Sequence, residues 1–236
     1  MEISKEIQKF TELCRDTFGE DLKAVILFGS AAEDRIRTFS DVNLMVILSR
    51  HDYERSKKLQ SQYRNFRAQE KLHAMFICEN EIQDAIQSFP LKFNDMRLRH
   101  KVVYGTWDFS KITLSPDQIR FHALQVIMNL KLRMREKFIL SGMREEQLTI
   151  IISEFASALR SAACGVFELE KKPYTSARQA FASIMSSTGD PSLADLPRLI
   201  SEVREETVLG KEVYEDIIMT MDKASGLLAA KLKSLV

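Results

Sequence analysis

The first half of the chain alternates short apolar runs with longer polar segments. Apolar runs of strand length occur at 22–28, 44–48 and 72–78. Helical spacing or a helix-prone composition marks 2–18, 52–71 and 79–87, and further strands are predicted at 89–96 and 101–104. Strands that alternate with helices in this way predict an α/β (α+β) unit, in which a mixed sheet carries packed helices.

The pattern changes at Ser115-Pro116-Asp117, which has the order of a helix start. Ser115 suits the cap, Pro116 the first position, and Asp117 the positive end of the helix dipole. From there on no strand pattern is found, and helices are predicted at 116–141, 144–170, 174–187, 192–206 and 211–234. The sequence thus predicts two domains, 1–113 and an all-α helical bundle at 114–236.

One apolar stretch of the first bundle helix is predicted to be core. It contains Val126, Met128, Leu130, Leu132 and Met134.

Composition narrows the function classes. The 236 residues are 45% hydrophobic and carry a formal net charge of +1, which argues against a general nucleic-acid or membrane-surface role. No apolar run approaches the roughly 20 residues needed to span a bilayer. The N-terminal segment is charged, without the apolar core of a signal peptide, so a cytoplasmic location is expected. The three cysteines and four histidines are not spaced for zinc.

The segment from Leu27 to Leu48, LFGSAAEDRIRTFSDVNLMVIL, contains the candidate chemistry. Gly29 would let the backbone approach a phosphate closely, and Ser30 adds a hydroxyl where a helix could open. Asp41 and Asn43 alternate along a strand, so their side chains leave the same face. Two carboxylates at such positions would hold divalent metals between a triphosphate and an attacking hydroxyl.

This segment resembles the signature of the nucleotidyltransferase superfamily that includes polymerase beta and the aminoglycoside nucleotidyltransferases. The shared features are the Gly-Ser pair, about ten residues, and Asp-x-Asp inside a hydrophobic strand. Residues 89–105, FPLKFNDMRLRHKVVYG, resemble a second stretch of bacterial members that reads roughly FPLEF. The resemblance covers about residues 20–107. It implies a nucleoside triphosphate cradled by Gly29 and Ser30, and three carboxylates holding two magnesium ions.

The sequence departs from that pattern at two positions. Asn43 stands where the second Asp is expected, and Lys92 stands where the Glu of FPLEF would supply a third carboxylate. Magnesium prefers anionic oxygen ligands. Only Asp41 then remains as a metal ligand, with Glu79 as a possible substitute. Lys92 is also predicted to form an ion pair with Asp41, if FPLKF is a strand beside the one that bears Asp41.

Simpler interpretations remain open for each residue. Asn43 could be a satisfied polar residue, Lys92 could point to solvent, and Gly29-Ser30 could be an ordinary turn. His73 fits a core or edge histidine better than a catalytic base. The basic cluster of Arg97, Arg99, His100 and Lys101 could bind phosphate or form a solvated helix face.

Three functions compete. The first is an impaired nucleotidyltransferase, a pseudoenzyme, that still binds a nucleotide, a phosphate or a partner. The second is an active magnesium-dependent enzyme that moves a nucleoside monophosphate to an acceptor hydroxyl. The third is a protein-interaction or antitoxin-type module. An RNase role of the bundle is disfavoured, because no arginine precedes His122 by four to six residues. The acceptor and the oligomeric state, a homodimer included, stay open.

Overall fold

The structure of the protein is a computed structural model that describes residues 5–33, 42–140, 145–204 and 211–235. The chain divides into two units, Met1–Thr113 and Leu114–Val236. The division falls where the sequence pattern changes. That the units act as separate domains stays a prediction.

Unit 1 contains, within its described residues, a four-stranded sheet and four α-helices. In chain order these are α1 (Lys5–Phe18), β1 (Leu22–Phe28), β2 (Val42–Leu48), α2 (Tyr53–Glu70), β3 (Leu72–Cys78), α3 (Ile82–Ser88), α4 (Pro90–Leu98) and β4 (His100–Gly105). The strand order is β3-β2-β1-β4. β1 is antiparallel to both β2 and β4, and β2 is parallel to β3. The mixed sheet with packed helices predicted from the sequence is confirmed.

One face of this sheet forms the core of unit 1 with α1 and α2. Leu27 and Leu44 from the strands lie in one buried cluster with Phe10 of α1. The Phe10 ring also contacts Tyr63 and Phe66 of α2, each with ring centroids 5.6 Å apart. Apolar burial of this kind is the main stabilising term of such a core. On the opposite face of the sheet, Ile26, Met45 and Ile47 are fully buried as well.

Asp21 connects three elements at one end of the sheet. Its carboxylate accepts hydrogen bonds from the Ser49 hydroxyl at 2.7 Å and from the Arg55 guanidinium at 2.9 Å. Its carbonyl oxygen accepts from the Ser49 amide at 2.8 Å. The turn before β1 is thereby joined to the end of β2 and to the first turn of α2.

The predicted strand at 89–96 is wrong. Pro90 to Leu98 form α4, with Pro90 in its first turn, where the missing N–H costs nothing. The Lys92 and Phe93 amides donate to the Phe89 carbonyl, and the buried Phe93 and Met96 lie three residues apart on one helix face. The run is short, and its apolar residues fit both the spacing of a helix and the alternation of a strand. The local sequence alone therefore does not separate the two structures.

The predicted strand at 101–104 is confirmed as β4, which ends at Gly105. This glycine has φ +71°, and a Cβ there would lie 1.9 Å from the Lys23 carbonyl oxygen of β1. Only glycine fits such a close approach of two backbones.

Within its described residues, unit 2 contains helices joined by turns and no strand, as predicted. Its helices are α5 (Pro116–Leu140), α6 (Glu145–Leu169), α7 (Ala177–Ser186), α8 (Pro191–Arg204) and α9 (Lys211–Ser234). One described stretch, Gln147–Leu169, is long and apolar enough to cross a membrane by length and composition, with a hydropathy of 1.4. Of that window 61% is buried, which is typical of a core helix.

The predicted core stretch of α5 is partly wrong. Leu130 and Met134 are buried, but Met128 and Leu132 are 57% and 59% exposed, and Val126 is half-buried. The five residues follow a spacing of two, whereas a helix turns once every 3.6 residues, so they cannot share one face.

Candidate functional site

One residue from each strand lies in a row across the sheet. Asn43 of β2 is paired with Phe28 of β1 and with His73 of β3, and Phe28 is paired with His100 of β4. Directly opposed residues on neighbouring strands point to the same face. Leu27 and Leu44 belong to the core on α1 and α2, so the row lies on the opposite face.

The row combines polar and apolar side chains. Asn43, His73 and His100 are half-buried, whereas Phe28 is buried. The His100 Nδ1 lies 2.9 Å from the Met96 carbonyl oxygen. Since a carbonyl only accepts, Nδ1 donates, and the Nε2 of a neutral ring is left as the acceptor. The His100 ring also packs on Phe109, with centroids 4.2 Å apart, so its orientation is held from two sides.

Lys92 reaches this face from α4. Its Nζ lies 5.8 Å from the centroid of the Phe28 ring and 3.5 Å from the Met75 Sδ. Met75 follows His73 by two residues on β3, so it lies on the same face of the sheet. Partial burial lowers the pKa of the Lys92 ammonium, although the side chain as a whole stays exposed. The ammonium is therefore placed over the same face as Asn43.

Gly29 ends β1 with φ +80°, in the left-handed region that favours glycine. Its amide donates to the Arg99 carbonyl oxygen at 3.1 Å, and the Arg99 Nε donates to the Asp95 carboxylate at 2.9 Å. The turn after β1 is thereby held by the corner between α4 and β4. Residues 29–33 form a short 3₁₀ turn. A Cβ at Gly29 would lie 3.8 Å from the Asn43 Nδ2, which places the turn beside the row.

Two of the predicted site residues lie wholly or partly outside the described part of the chain. Asp41 is outside it, and so is the Ser30 side chain. The predicted Lys92–Asp41 ion pair is therefore not described. Its premise, a FPLKF strand beside β2, is wrong, because β3 occupies that position and Lys92 lies on a helix.

His73 is the neighbour of Asn43 that the sequence interpretation missed. The parallel pairing of β2 with β3 places the two residues side by side. Its signal was the position of His73, one residue into an apolar strand, just as Asn43 is one residue into β2. That signal becomes usable only when the two strands are known to be neighbours.

The described residues do not fit a pair of magnesium ions. None of the four strands contains Asp or Glu, and the described residues hold no group of three or more His, Cys, Asp and Glu that could bind a metal. Glu79 is no substitute ligand for Asn43, because it lies six positions beyond His73, about 20 Å along the strand direction at 3.3 Å per residue. Neutral Asn43 and cationic Lys92 do not attract dications.

The chain is similar to solved structures, an adenyltransferase among them. The crystal structure of spectinomycin adenyltransferase AAD(9) from Enterococcus faecialis with ATP and spectinomycin matches with a TM-score of 0.65. The match covers 98% of this chain and 99% of that chain. The chain has a nucleotidyltransferase fold. The resemblance inferred from the residues of β1 and β2 is confirmed at the level of the fold.

Sequence identity to this nucleotidyltransferase-fold neighbour is 13%, so the likeness concerns the fold alone. No protein-family model matches the chain, and no curated protein matches it. Function must therefore be argued from the side chains of the site.

Proposed function

We propose that this nucleotidyltransferase-fold protein is a catalytically impaired relative that binds the phosphates of a nucleotide without a magnesium pair. The observation that carries the proposal is the row of His73, Asn43, Phe28 and His100, with the Lys92 ammonium placed over it. The row lacks carboxylates in the described strands, and a cation lies over it.

The electrostatics of the row favour an anion over a dication. Phosphate oxygens accept hydrogen bonds from ammonium, amide and imidazole N–H groups, all of which occur here. Gly29 keeps the backbone open at the end of β1, where a ligand could approach. We therefore assign nucleotide contact to Gly29, Ser30 and Lys92, and no metal ligand beyond a weak contribution of Asp41.

Transfer activity would be low for a defined reason. A metal ion neutralises charge in the transition state, and each 1.4 kcal/mol of lost stabilisation slows the reaction about tenfold. With Asn43 in place of a carboxylate, we expect the rate of transfer to be lower by at least about a hundredfold.

ATP is bound to the structural neighbour, and a nucleoside triphosphate is our proposed ligand here. We propose domains 1–113 and 114–236, the first binding the nucleotide, and a cytoplasmic location.

Thermal unfolding with the four ribonucleoside triphosphates, in EDTA and in magnesium, tests the proposal. A nucleotide present at about 100 times its dissociation constant should raise the free energy of unfolding by about 2.7 kcal/mol, in EDTA as well as in magnesium. Lys92→Met should reduce this stabilisation, whereas Lys57→Met, at an exposed position of α2, should not. No stabilisation by any nucleotide would contradict nucleotide binding. Magnesium-dependent release of pyrophosphate, abolished by Asp41→Ala, would contradict impairment.

One observation favours a second candidate, an active enzyme with substitute ligands. Asn43 and His73 lie side by side and offer an amide oxygen and an imidazole nitrogen on one face. Imidazole suits zinc and nickel better than it suits magnesium. Pyrophosphate release that requires such a transition metal and is lost in both Asp41→Ala and His73→Ala would favour this candidate.

A further inference from the structure

Helix α5 carries apolar side chains on the side that faces away from its own core. Phe121, Met128, Leu132 and Ile139 are 65%, 57%, 59% and 78% exposed. The buried residues of the same helix are Ile119, Ala123, Ile127, Leu130 and Met134. At 100° per residue, the four exposed side chains fall within about 40° of one another, roughly opposite the buried set. We call these four residues the α5 stripe.

The α5 stripe has the spacing of a helix–helix seam. Its members are separated by seven, four and seven residues and occupy a and d positions of a coiled coil, with Gln125 and Arg135 at the two remaining a and d positions between them. From Phe121 to Ile139 the stripe runs about 27 Å along the helix. Several exposed apolar side chains on one helix face are unusual on a free surface, whereas single exposed ones are common.

We propose that α5 pairs with α5 of a second copy of this chain in antiparallel orientation. The spacing of the stripe is the same in both directions, because Phe121 and Ile139 each lie nine residues from Leu130, and Met128 and Leu132 each lie two residues from it. A two-fold axis at residue 130 therefore sets Phe121 against Ile139 of the second copy, and Met128 against Leu132.

The polar flanks of the stripe are compatible with this pairing. The antiparallel register sets Gln125 opposite Arg135 of the second copy, a neutral amide beside a guanidinium. Lys131 and Arg135 lie 4.0 Å and 3.4 Å from the Asp222 carboxylate of α9 in their own chain. Their positive charges are thus partly compensated before two copies meet, which reduces like-charge repulsion at the seam.

The apolar area is sufficient for a modest dimer. A large aliphatic or aromatic side chain carries on the order of 100 Å² of apolar surface. Eight such side chains, four from each copy, together with the polar flanks, bring the contact to about 1,000 Å², the lower bound of a specific interface. Exposed Leu140 and Ile150 extend the apolar surface from α5 to α6. Interfaces at this lower bound are typical of weak complexes, so we expect association to be detectable around a chain concentration of about 10 µM.

Sedimentation equilibrium of the full chain, from about ten times below to ten times above that concentration, tests the pairing. Leu132→Lys should weaken the dimer at least tenfold, since it sets a charge beside Met128 of the second copy. Met219→Lys, on α9, is the matched control, because Met219 is 58% exposed and lies outside the stripe. Circular dichroism and the melting temperature verify that both variants fold.

Disulfide trapping tests the orientation. When Met128→Cys and Leu132→Cys variants are mixed and oxidised, the antiparallel register predicts the mixed dimer as the main product, with the wild type as control for native thiols. A chain that stays monomeric at the highest concentration, because a membrane or another protein covers the stripe, would overturn the proposal. So would a dimer indifferent to Leu132→Lys, or one in which each cysteine variant links mainly to itself.

Discussion

Asn43 lies directly beside His73 across the parallel pair β2–β3, and both side chains leave the same face of the sheet. The four described strands around this pair contain no carboxylate. The site thus combines an amide and an imidazole with the nearby Lys92 ammonium.

Restoring a carboxylate at residue 43 should restore a response to magnesium. In Asn43→Asp, acidic residues at 41 and 43 would stand two apart in the sequence, and we expect them to repel each other until a dication binds. We expect the melting temperature of this variant, but not of the wild type, to rise with magnesium in the presence of ATP. Asn65→Asp on exposed α2 is the control. An equal magnesium response in the wild type would contradict the charge argument.

Replacing Lys92 should have opposite effects on the free protein and on nucleotide binding. Because partial burial lowers the pKa of Lys92, the folded state disfavours its charged form. The penalty is present at neutral pH and is relieved as the pH rises through the lowered folded pKa. Lys92→Met should therefore not lower, and should slightly raise, the stability of the free protein at pH 7.

The same Lys92→Met variant should bind nucleotide about tenfold more weakly, because a phosphate contact is lost. Isothermal titration calorimetry and thermal unfolding measure the two effects on one sample. A variant that is less stable and binds as well as the wild type would assign Lys92 a structural role instead.

Gly29→Ala should destabilise the protein through its backbone. The φ of +80° is strained for any side chain, at about 1–2 kcal/mol, whereas a Cβ would make only an ordinary van der Waals contact, 3.8 Å from the Asn43 Nδ2. Gly226→Ala is the contrasting control, since this residue lies inside α9 and alanine is favoured there by up to about 1 kcal/mol. Chemical denaturation measures both. Equal effects at the two positions would contradict the assignment of strain to Gly29.

Asp21→Asn should reduce stability at neutral pH, with a smaller reduction in acid. The Ser49 hydroxyl, followed by the Arg50 guanidinium, lowers the pKa of Asp21 below its ordinary 3.8. A lowered folded pKa stabilises the protein above the unfolded value, and this stability is lost as the pH falls through the folded pKa. The wild type and the variant should therefore begin to converge as the pH falls below about 3.8, and should converge fully only below the lowered pKa of folded Asp21. Asp84→Asn on α3 serves as the control, and a pH-independent difference for Asp21→Asn would contradict this prediction.

The sequence by itself determined most secondary structure and the nature of the first unit. The strands at 22–28 and 72–78 have the predicted bounds, because each is a continuous apolar run between polar residues. The Gly-Ser pair and the Asp-x-Asn strand sufficed to indicate the nucleotidyltransferase fold. These features are local, because the backbone preference and the periodicity of burial of a segment depend mainly on its own residues.

Only the tertiary structure decided which side chains meet. The order of the strands in the sheet depends on contacts between distant segments. The local sequence therefore could not show that His73, and not a residue of FPLKF, lies beside Asn43. The apolar residues of the segment at 89–96 fit the period of a helix as well as that of a strand, so its helical structure could not be predicted from the sequence. Helix α5 has apolar residues both on its core face and on the opposite face. The periodicity of the sequence shows which face each residue lies on, but it does not show which of these faces is buried.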